Sequence, residues 1–235
     1  MNLFYSTGID GDTFTLNSEE SKHIVRVLRM KVGDRVRFTD GNGFFYDCSI
    51  TDANPKACRF NVARKSGGTD KRSYIVQIAI APTKNISRFE WFLEKATEIG
   101  IDKITPLVCV HSERKDINAK RLERVLVAAM KQSLKSQLPV LFPPVKFKEL
   151  IRSPFSGQKF IAYIDKDITL ELSKGYQPGQ DALILIGPEG DFSHDEVELA
   201  KEQGFIPIKL GPSRLRTETA GVVACHTIHL MNYRM

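Results

Sequence analysis

The sequence predicts an α/β fold, a parallel sheet covered on both faces by helices, preceded by a small β-barrel domain. Three observations carry this expectation. Beyond Tyr74, buried apolar runs alternate with capped helical segments. Before that point, short alternating strands are separated by glycine-containing turns, with one helix among them. Between the two regimes lies Lys65-Ser66-Gly67-Gly68-Thr69-Asp70-Lys71-Arg72-Ser73, polar throughout, with a glycine pair and no apolar anchor. Domains are therefore expected at residues 1–68 and 74–235.

In the first domain, turns are read at Asp10-Gly11-Asp12 and Asp40-Gly41-Asn42-Gly43. Apolar and polar residues alternate over Arg35–Thr39 and Phe45–Ile50, which predicts strands. The helix takes Ser18 as its N-cap, with Ile24, Val27 and Leu28 on its apolar side. In the second domain, Tyr74–Ala81 is a buried-strand run. Ser87 and Glu90 form a capping box; Phe89, Phe92, Leu93, Ala96 and Ile99 follow helical spacing, and Gly100 closes that helix. A strand at Ile104–Val110 leads to a long helix over Asn118–Leu138, with Leu122, Val125, Leu126, Ala129 and Ser133 on one side and Pro139 as its stop. Strands follow at Lys159–Ile164, Ala182–Ile186 and Ile206–Leu210. Between the last two, Ser193 and Glu196 open a second capped helix that ends near Gly204. A final helix covers Glu218–Met231.

Composition narrows the function classes. The chain has 235 residues, 42% hydrophobic and 26% charged, which excludes disordered and coiled-coil architectures. Aliphatic runs such as Ala182–Ile186 fall far short of the roughly 20 residues that cross a bilayer, so no membrane role is expected. Met1–Ser6 has neither a basic lead nor a long apolar stretch, and Cys48, Cys58, Cys109 and Cys225 include no CxxC pair. Reduced core thiols in a cytoplasmic protein are the expectation. No HExxH pattern occurs, and His226 and His229 on the last helix read as one solvated and one packed ring; no metal is expected. The net charge of +6 is unevenly placed. Residues 22–37 carry six basic groups against one acidic, residues 111–148 nine against three, and residues 149–203 five against eleven. Such a pattern suits an oriented polyanion-binding face; solvated helix faces account for it equally well from charge alone.

Two loops carry the chemistry. Ile186-Gly187-Pro188-Glu189-Gly190-Asp191-Phe192-Ser193 leaves a buried strand and enters a capped helix. Leu210-Gly211-Pro212-Ser213-Arg214-Leu215-Arg216-Thr217-Glu218 does the same, and its helix opens with the small residues Thr219, Ala220 and Gly221. Ligands of open α/β sheets bind at the carboxyl ends of strands, and glycine there lets backbone approach the ligand. A cofactor crevice and two ordinary strand-to-helix turns are both open on spacing alone. No GxGxxG, GxxxxGK[ST] or GxSxG motif is present, which leaves the usual dinucleotide, P-loop and hydrolase sites unsupported.

These loops, Leu185-Ile186-Gly187-Pro188-Glu189-Gly190 and Leu210 to Ala220, resemble those of the RsmE family, bacterial 16S ribosomal RNA uracil-N3 methyltransferases of the SPOUT superfamily. The resemblance extends along the chain. His23-Ile24-Val25-Arg26-Val27-Leu28-Arg29-Met30-Lys31-Val32-Gly33-Asp34 is similar to the family's PUA-like motif, and Lys95-Ala96-Thr97-Glu98-Ile99-Gly100 with Ile104-Thr105-Pro106 to its first helix and second strand. Two departures stand out: Asp191 where the family often has a second glycine, and Leu134-Lys135 in place of Gly-Arg.

The resemblance implies a SPOUT methyltransferase domain with a C-terminal trefoil knot, S-adenosylmethionine as cofactor, a homodimer, and a uridine in helix 44 of 16S ribosomal RNA as target. Carried over, the cofactor-binding residues are Leu185, Ile186, Gly187, Glu189, Gly190, Leu210, Gly211, Ser213, Leu215 and Arg216. Cations expected to meet RNA are Lys22, Arg26, Arg29, Lys31, Lys84, Arg88, Arg114, Arg121, Arg124 and Arg214. Arg216 is the candidate catalytic residue: uracil N3 carries a proton at neutral pH, and a guanidinium bonding O2 or O4 favours the anion that must form. A non-catalytic RNA-binding protein that retains the fold, or an α/β enzyme with another cofactor, are the competing readings.

Overall fold

The computed structural model describes residues 3–68 and 72–233. The chain forms two compact units, Met1–Lys71 with Met130–Leu138, and Arg72–Ala129 with Pro139–Met235. Part of the linker read at Lys65–Ser73, residues 69–71, lies outside the described residues, as do residues 1 and 2 of the segment read for a leader.

The first unit contains β1 (Leu3–Tyr5), β2 (Thr13–Thr15), α1 (Ser18–Lys22), β3 (Arg35–Thr39), β4 (Phe44–Asp52) and β5 (Arg59–Gly67). The strands form one sheet in the order β1-β3-β4-β5-β2, with β1 parallel to β3 and the other pairs antiparallel. Phe4 of β1 and Phe14 of β2 come from opposite ends of that path. Both rings nevertheless meet Phe38 of β3, at centroid distances of 5.4 and 5.0 Å. The sheet therefore curls on itself, as the barrel expectation requires, around fully buried Phe38 and Phe60. Each such ring contributes about 1.5–3 kcal/mol of transfer free energy.

The helix differs from the sequence reading. Asn17, not Ser18, is the cap: its side chain accepts from the amides of Glu19 and Glu20, both at 3.0 Å. After α1 the backbone widens into a π-turn over His23–Val27. Ile24 stays buried, but Val27, expected on the apolar side, is 66% exposed. A 3.6-residue period does not survive a π-turn. Arg29 then takes φ 55°, the left-handed position usual for glycine, and the amide of Met30 closes on the carbonyl of Ile24 at 3.2 Å.

The second unit contains β6 (Val76–Ile80), α2 (Ile86–Ile99), β7 (Lys103–Val108), α3 (Ala119–Gln132), β8 (Val140–Leu141), β9 (Val145–Lys146), α4 (Phe147–Arg152), β10 (Gln158–Ala162), α5 (Leu172–Gly175), β11 (Ala182–Ile186), α6 (His194–Glu202), β12 (Ile206–Ile208) and α7 (Thr217–Tyr233); the end of α3 from Met130 belongs to the first unit. Its sheet runs β12-β10-β11-β6-β7-β8, with β9 also on β7, and every pairing is parallel. Ala79, Leu107, Ile161, Leu183 and Leu185 face α4 and α6 in one core layer with Phe147, Ile151, Val197 and Ala200. The opposite face carries α2 and α7. There a Cβ on Gly221 would lie 2.6 Å from the Phe92 ring and 2.9 Å from Ile80, so only glycine lets these helices close onto β6. The small residue read as room for a ligand is room for a helix.

Several boundaries shift: β7 ends at Val108 rather than Val110, and β10 at Ala162 rather than Ile164. Asn85, not Ser87, caps α2, accepting from the Ser87 amide at 3.1 Å. The long helix ends at Gln132 rather than Leu138, because Leu134 takes φ 56° and the amide of Lys135 bonds the carbonyl of Met130 at 3.0 Å. The first position of the pair that departs from the family's Gly-Arg is thus one where glycine suits the backbone. The strand expected over Ile206–Leu210 stops at Ile208. The Ser193–Glu196 capping box forms as read, and Gly100 closes α2 at φ 120°. His229 is buried against the Tyr74 hydroxyl at 2.8 Å, while His226 is exposed.

Candidate functional site

The strands β10, β11 and β12 are neighbours and end side by side. The loops that leave them enclose a cavity of about 550 Å³. That size is typical of small-molecule sites, about 300–1,000 Å³, and the place is where open parallel sheets bind ligands.

The loop after β11 is tied down on several sides. The carbonyl of Ile186 accepts from the amide of Ala81 at 3.0 Å, and that of Gly187 from the Thr217 hydroxyl at 3.1 Å. The Glu189 carboxylate accepts from the amide of Lys84 at 3.0 Å. Asp191 sits at φ 60°, which accounts for glycine being the family's usual choice there; aspartate is among the few side chains that tolerate this conformation. Its carboxylate accepts from the amides of Phe192 at 2.8 Å and Ile164 at 3.3 Å, joining this loop to the one after β10. Burial raises the Asp191 carboxyl above the usual carboxylate range, against the opposing pull of those two amides, Arg214 and His111.

The loop after β12 supplies the other wall. Gly211 borders the cavity at φ 138°, and a Cβ there would meet no protein atom within 4 Å. Arg214 and Arg216 are exposed at the rim, whereas Glu218, one residue into α7, is buried with Arg88 at 3.9 Å. Sequence reasoning missed the Thr217 tie and the burial of Glu218. The Thr217 tie pairs loops about 30 residues apart and Glu218 lies beside Arg88 of α2, and neither leaves a local pattern.

Of the ten residues read as cofactor-binding, Ile186, Gly187, Glu189, Leu210, Gly211, Ser213, Leu215 and Arg216 line the cavity. Leu185 does not: strand alternation turns it into the core layer beside Leu183. Gly190 packs instead against His111, with a Cβ position 3.1 Å from that side chain.

Comparison with known proteins agrees with this architecture. A family model described as RNA methyltransferase domain matches residues 70–229, and one described as RNA methyltransferase PUA domain matches residues 16–63. The ribosomal RNA small subunit methyltransferase E of Buchnera aphidicola is 29% identical across 97% of this chain and 92% of its own length. The chain belongs to the RsmE family. A probable rRNA-methyltransferase from Porphyromonas gingivalis shares this fold with a TM-score of 0.93 and 46% identity, covering 100% of this chain and 99% of its own. A Legionella pneumophila methyltransferase, solved with SAM bound, has a TM-score of 0.86 and 27% identity, covering 98% and 97%. The second unit of this RsmE-family chain is a SPOUT domain, and the first is its PUA-like partner.

The cations read as RNA contacts separate into two groups. Lys22, Arg26, Arg29, Lys31 and Arg124 are exposed, and Arg88 and Arg214 line the cavity. The others have internal duties in this RsmE-family fold. Lys84 pairs with Glu113 at 2.8 Å. Arg114 donates to the carbonyls of Thr83 and Lys84 at 3.1 and 2.9 Å. Arg121 forks onto both carboxylate oxygens of Glu90. Arg114 and Arg121 are therefore not free surface cations, because a guanidinium matches a carboxylate or paired carbonyls better than a solvated surface.

Proposed function

We propose that this chain transfers a methyl group from S-adenosylmethionine to N3 of a uridine in helix 44 of 16S ribosomal RNA, in the cytoplasm. The observation that carries the proposal is the cavity between the loops after β11 and β12, with Arg216 at its rim. Its lining suits that cofactor. Ile186, Ile208 and Leu210 offer an apolar surface for a ring, Asp165, Glu189 and Asp191 bring carboxylates toward cationic groups, and Lys209 and Arg214 bring cations toward a carboxylate. When bound, S-adenosylmethionine supplies an electrophilic methyl group on a sulfonium.

The chain's residues then have distinct tasks. Gly211 keeps a side chain out of the cofactor's path, and Gly187 lets its loop close onto Phe192. Thr217 holds the two loops together. Arg216 opposes the charge that develops on O2 and O4 as N3 loses its proton. The base must leave any pairing partner first, since N3 is used in Watson–Crick pairing. The first unit supplies RNA affinity through Lys22, Arg26, Arg29 and Lys31, which have no ion pair among the described residues. A trefoil knot around α7 and a homodimer, supported by the partly exposed Val222, Val223 and Leu230 of α7, complete the reading.

Single-turnover methylation of small-subunit ribosomal RNA tests it. Arg216→Ala is expected to slow the chemical step by about 10²–10³ while changing cofactor affinity far less. The rate should recover partly as pH rises, because hydroxide then removes the N3 proton unaided. RNA binding with no methylation by the wild-type protein would favour the non-catalytic reading. Mass mapping of the modified RNA reads the target position directly.

A further inference from the structure

A second cavity, of about 390 Å³, adjoins the first. Ser87, Arg88 and Trp91 of α2 border it, with Arg216, Glu218 and Thr219 at the start of α7. Arg88, Arg216 and Glu218 border both cavities.

Two side chains here are in unusual states. Trp91 is the chain's one tryptophan and is 42% exposed, although Phe89 and Phe92 on the same helix are fully buried. Glu218 is only 7% exposed and borders both cavities, with Arg88 at 3.9 Å as its ion-pair neighbour. An exposed aromatic face beside guanidinium groups is what an unstacked nucleobase binds.

We infer that the second cavity seats the acceptor base, a uracil stacked on Trp91 with its N3–H directed to Glu218 and its O2 and O4 to Arg88 and Arg216. This rests on the methylation proposed above and names the residues that select the base. Uracil presents acceptor, donor, acceptor along its pairing edge, and one carboxylate with two guanidiniums is the complementary set. Cytosine has a bare N3 lone pair and an amino group along that edge, so it would place a lone pair against a carboxylate. In the reaction the N3 proton passes to a Glu218 oxygen, leaving the charge on the ring opposite the two arginines. Glu218 is thereby both the specificity element and the proton acceptor.

The lone tryptophan makes the test direct. Fluorescence of the full chain is titrated with the 5′-monophosphates of uridine, cytidine, guanosine and 3-methyluridine. Saturable quenching by the uridine nucleotide, about tenfold tighter than by the other three, is expected. Glu218→Gln should erase most of that preference. In methylation assays Trp91→Ala should raise the KM for RNA about tenfold with cofactor affinity unchanged, and Trp91→Phe should restore it. Equal quenching by all four nucleotides, or none, together with an unchanged KM for Trp91→Ala, overturns the base seat. If the wild type still methylates a uridine in that case, the proposed function stands without it. If the wild type methylates another atom while the uridine nucleotide quenches selectively, the seat stands and the uracil-N3 reaction fails.

Discussion

The basic helix of the first unit and the cavity loops of the second hold their polar groups in opposite ways. In the first, Lys22, Arg26 and Arg29 are exposed around a π-turn and a left-handed residue, and no ion pair holds them among the described residues. In the second, the groups around the cavity are tied to one another: Thr217 to Gly187, Glu189 to Lys84, Asp191 to Ile164. Free cations suit a polyanion that is gripped by its phosphates and can slide, because counterion release needs charge rather than fixed geometry. Tied loops suit a reaction, where small displacements are expensive. On the proposed function, the difference assigns RNA affinity to one unit and chemistry to the other.

The largest expected effect that sharpens this contrast comes from removing the free cations. Replacing Lys22, Arg26, Arg29 and Lys31 by alanine should weaken RNA binding strongly and flatten the salt dependence of log K by about three units of slope. S-adenosylmethionine affinity should not change. An unaltered salt slope, measured by filter binding, would break the division of labour.

Next in size is the packing of the tied unit. Gly221→Ala forces a Cβ to 2.6 Å from the Phe92 ring, and overpacking of this kind costs about 1–3 kcal/mol. A lowered thermal midpoint is expected. Gly8→Ala, where a Cβ meets nothing within 4 Å, is the control and should leave the midpoint in place.

The smallest effect is alkaline. Burial pushes the thiols of Cys48 and Cys58, both in the first unit, up to about 12 and about 11, with Asp47 and Asp52 adding to the rise. A raised folded-state value means the native thiol holds its proton longer than the unfolded one. The contribution is full below the unfolded value near 9 and is lost as pH climbs toward 11–12. Urea midpoints should therefore fall between pH 8.5 and pH 10.5, and a Cys48→Ala, Cys58→Ala double variant should fall less steeply. Parallel slopes would show that the buried thiols play no part.

How much of this was legible follows from where each signal lies. The strand Ala182–Ile186 and the Ser193–Glu196 box are local, and both appear where the sequence placed them. Helix ends at Arg29 and Leu134 were not legible, because a left-handed residue other than glycine leaves no mark in composition. The π-turn hid for a related reason, since one wider turn shifts every later position on the helix face. At the site, the glycines and Arg216 were readable as motif residues. Trp91 and Glu218 were not, since what sets them apart is an exposed ring on a buried helix face and a carboxyl buried beside Arg88, and only the packing of α2 on α7 creates those. Arg121 lies in a segment that reads as free cations, and Glu90 on another helix pairs with it.

The central claim is that the loops after β11 and β12 hold S-adenosylmethionine, and calorimetry of the full chain tests it most directly. Gly211 borders the cavity at φ 138°, with open space where a Cβ would stand. A side chain there enters the ligand's volume and also resists that backbone angle. Wild-type protein should bind S-adenosylmethionine at one site per chain, and Gly211→Val should lose at least about tenfold in affinity while circular dichroism shows the fold retained. Equal affinity of the folded variant and the wild type would contradict the assignment of this cavity.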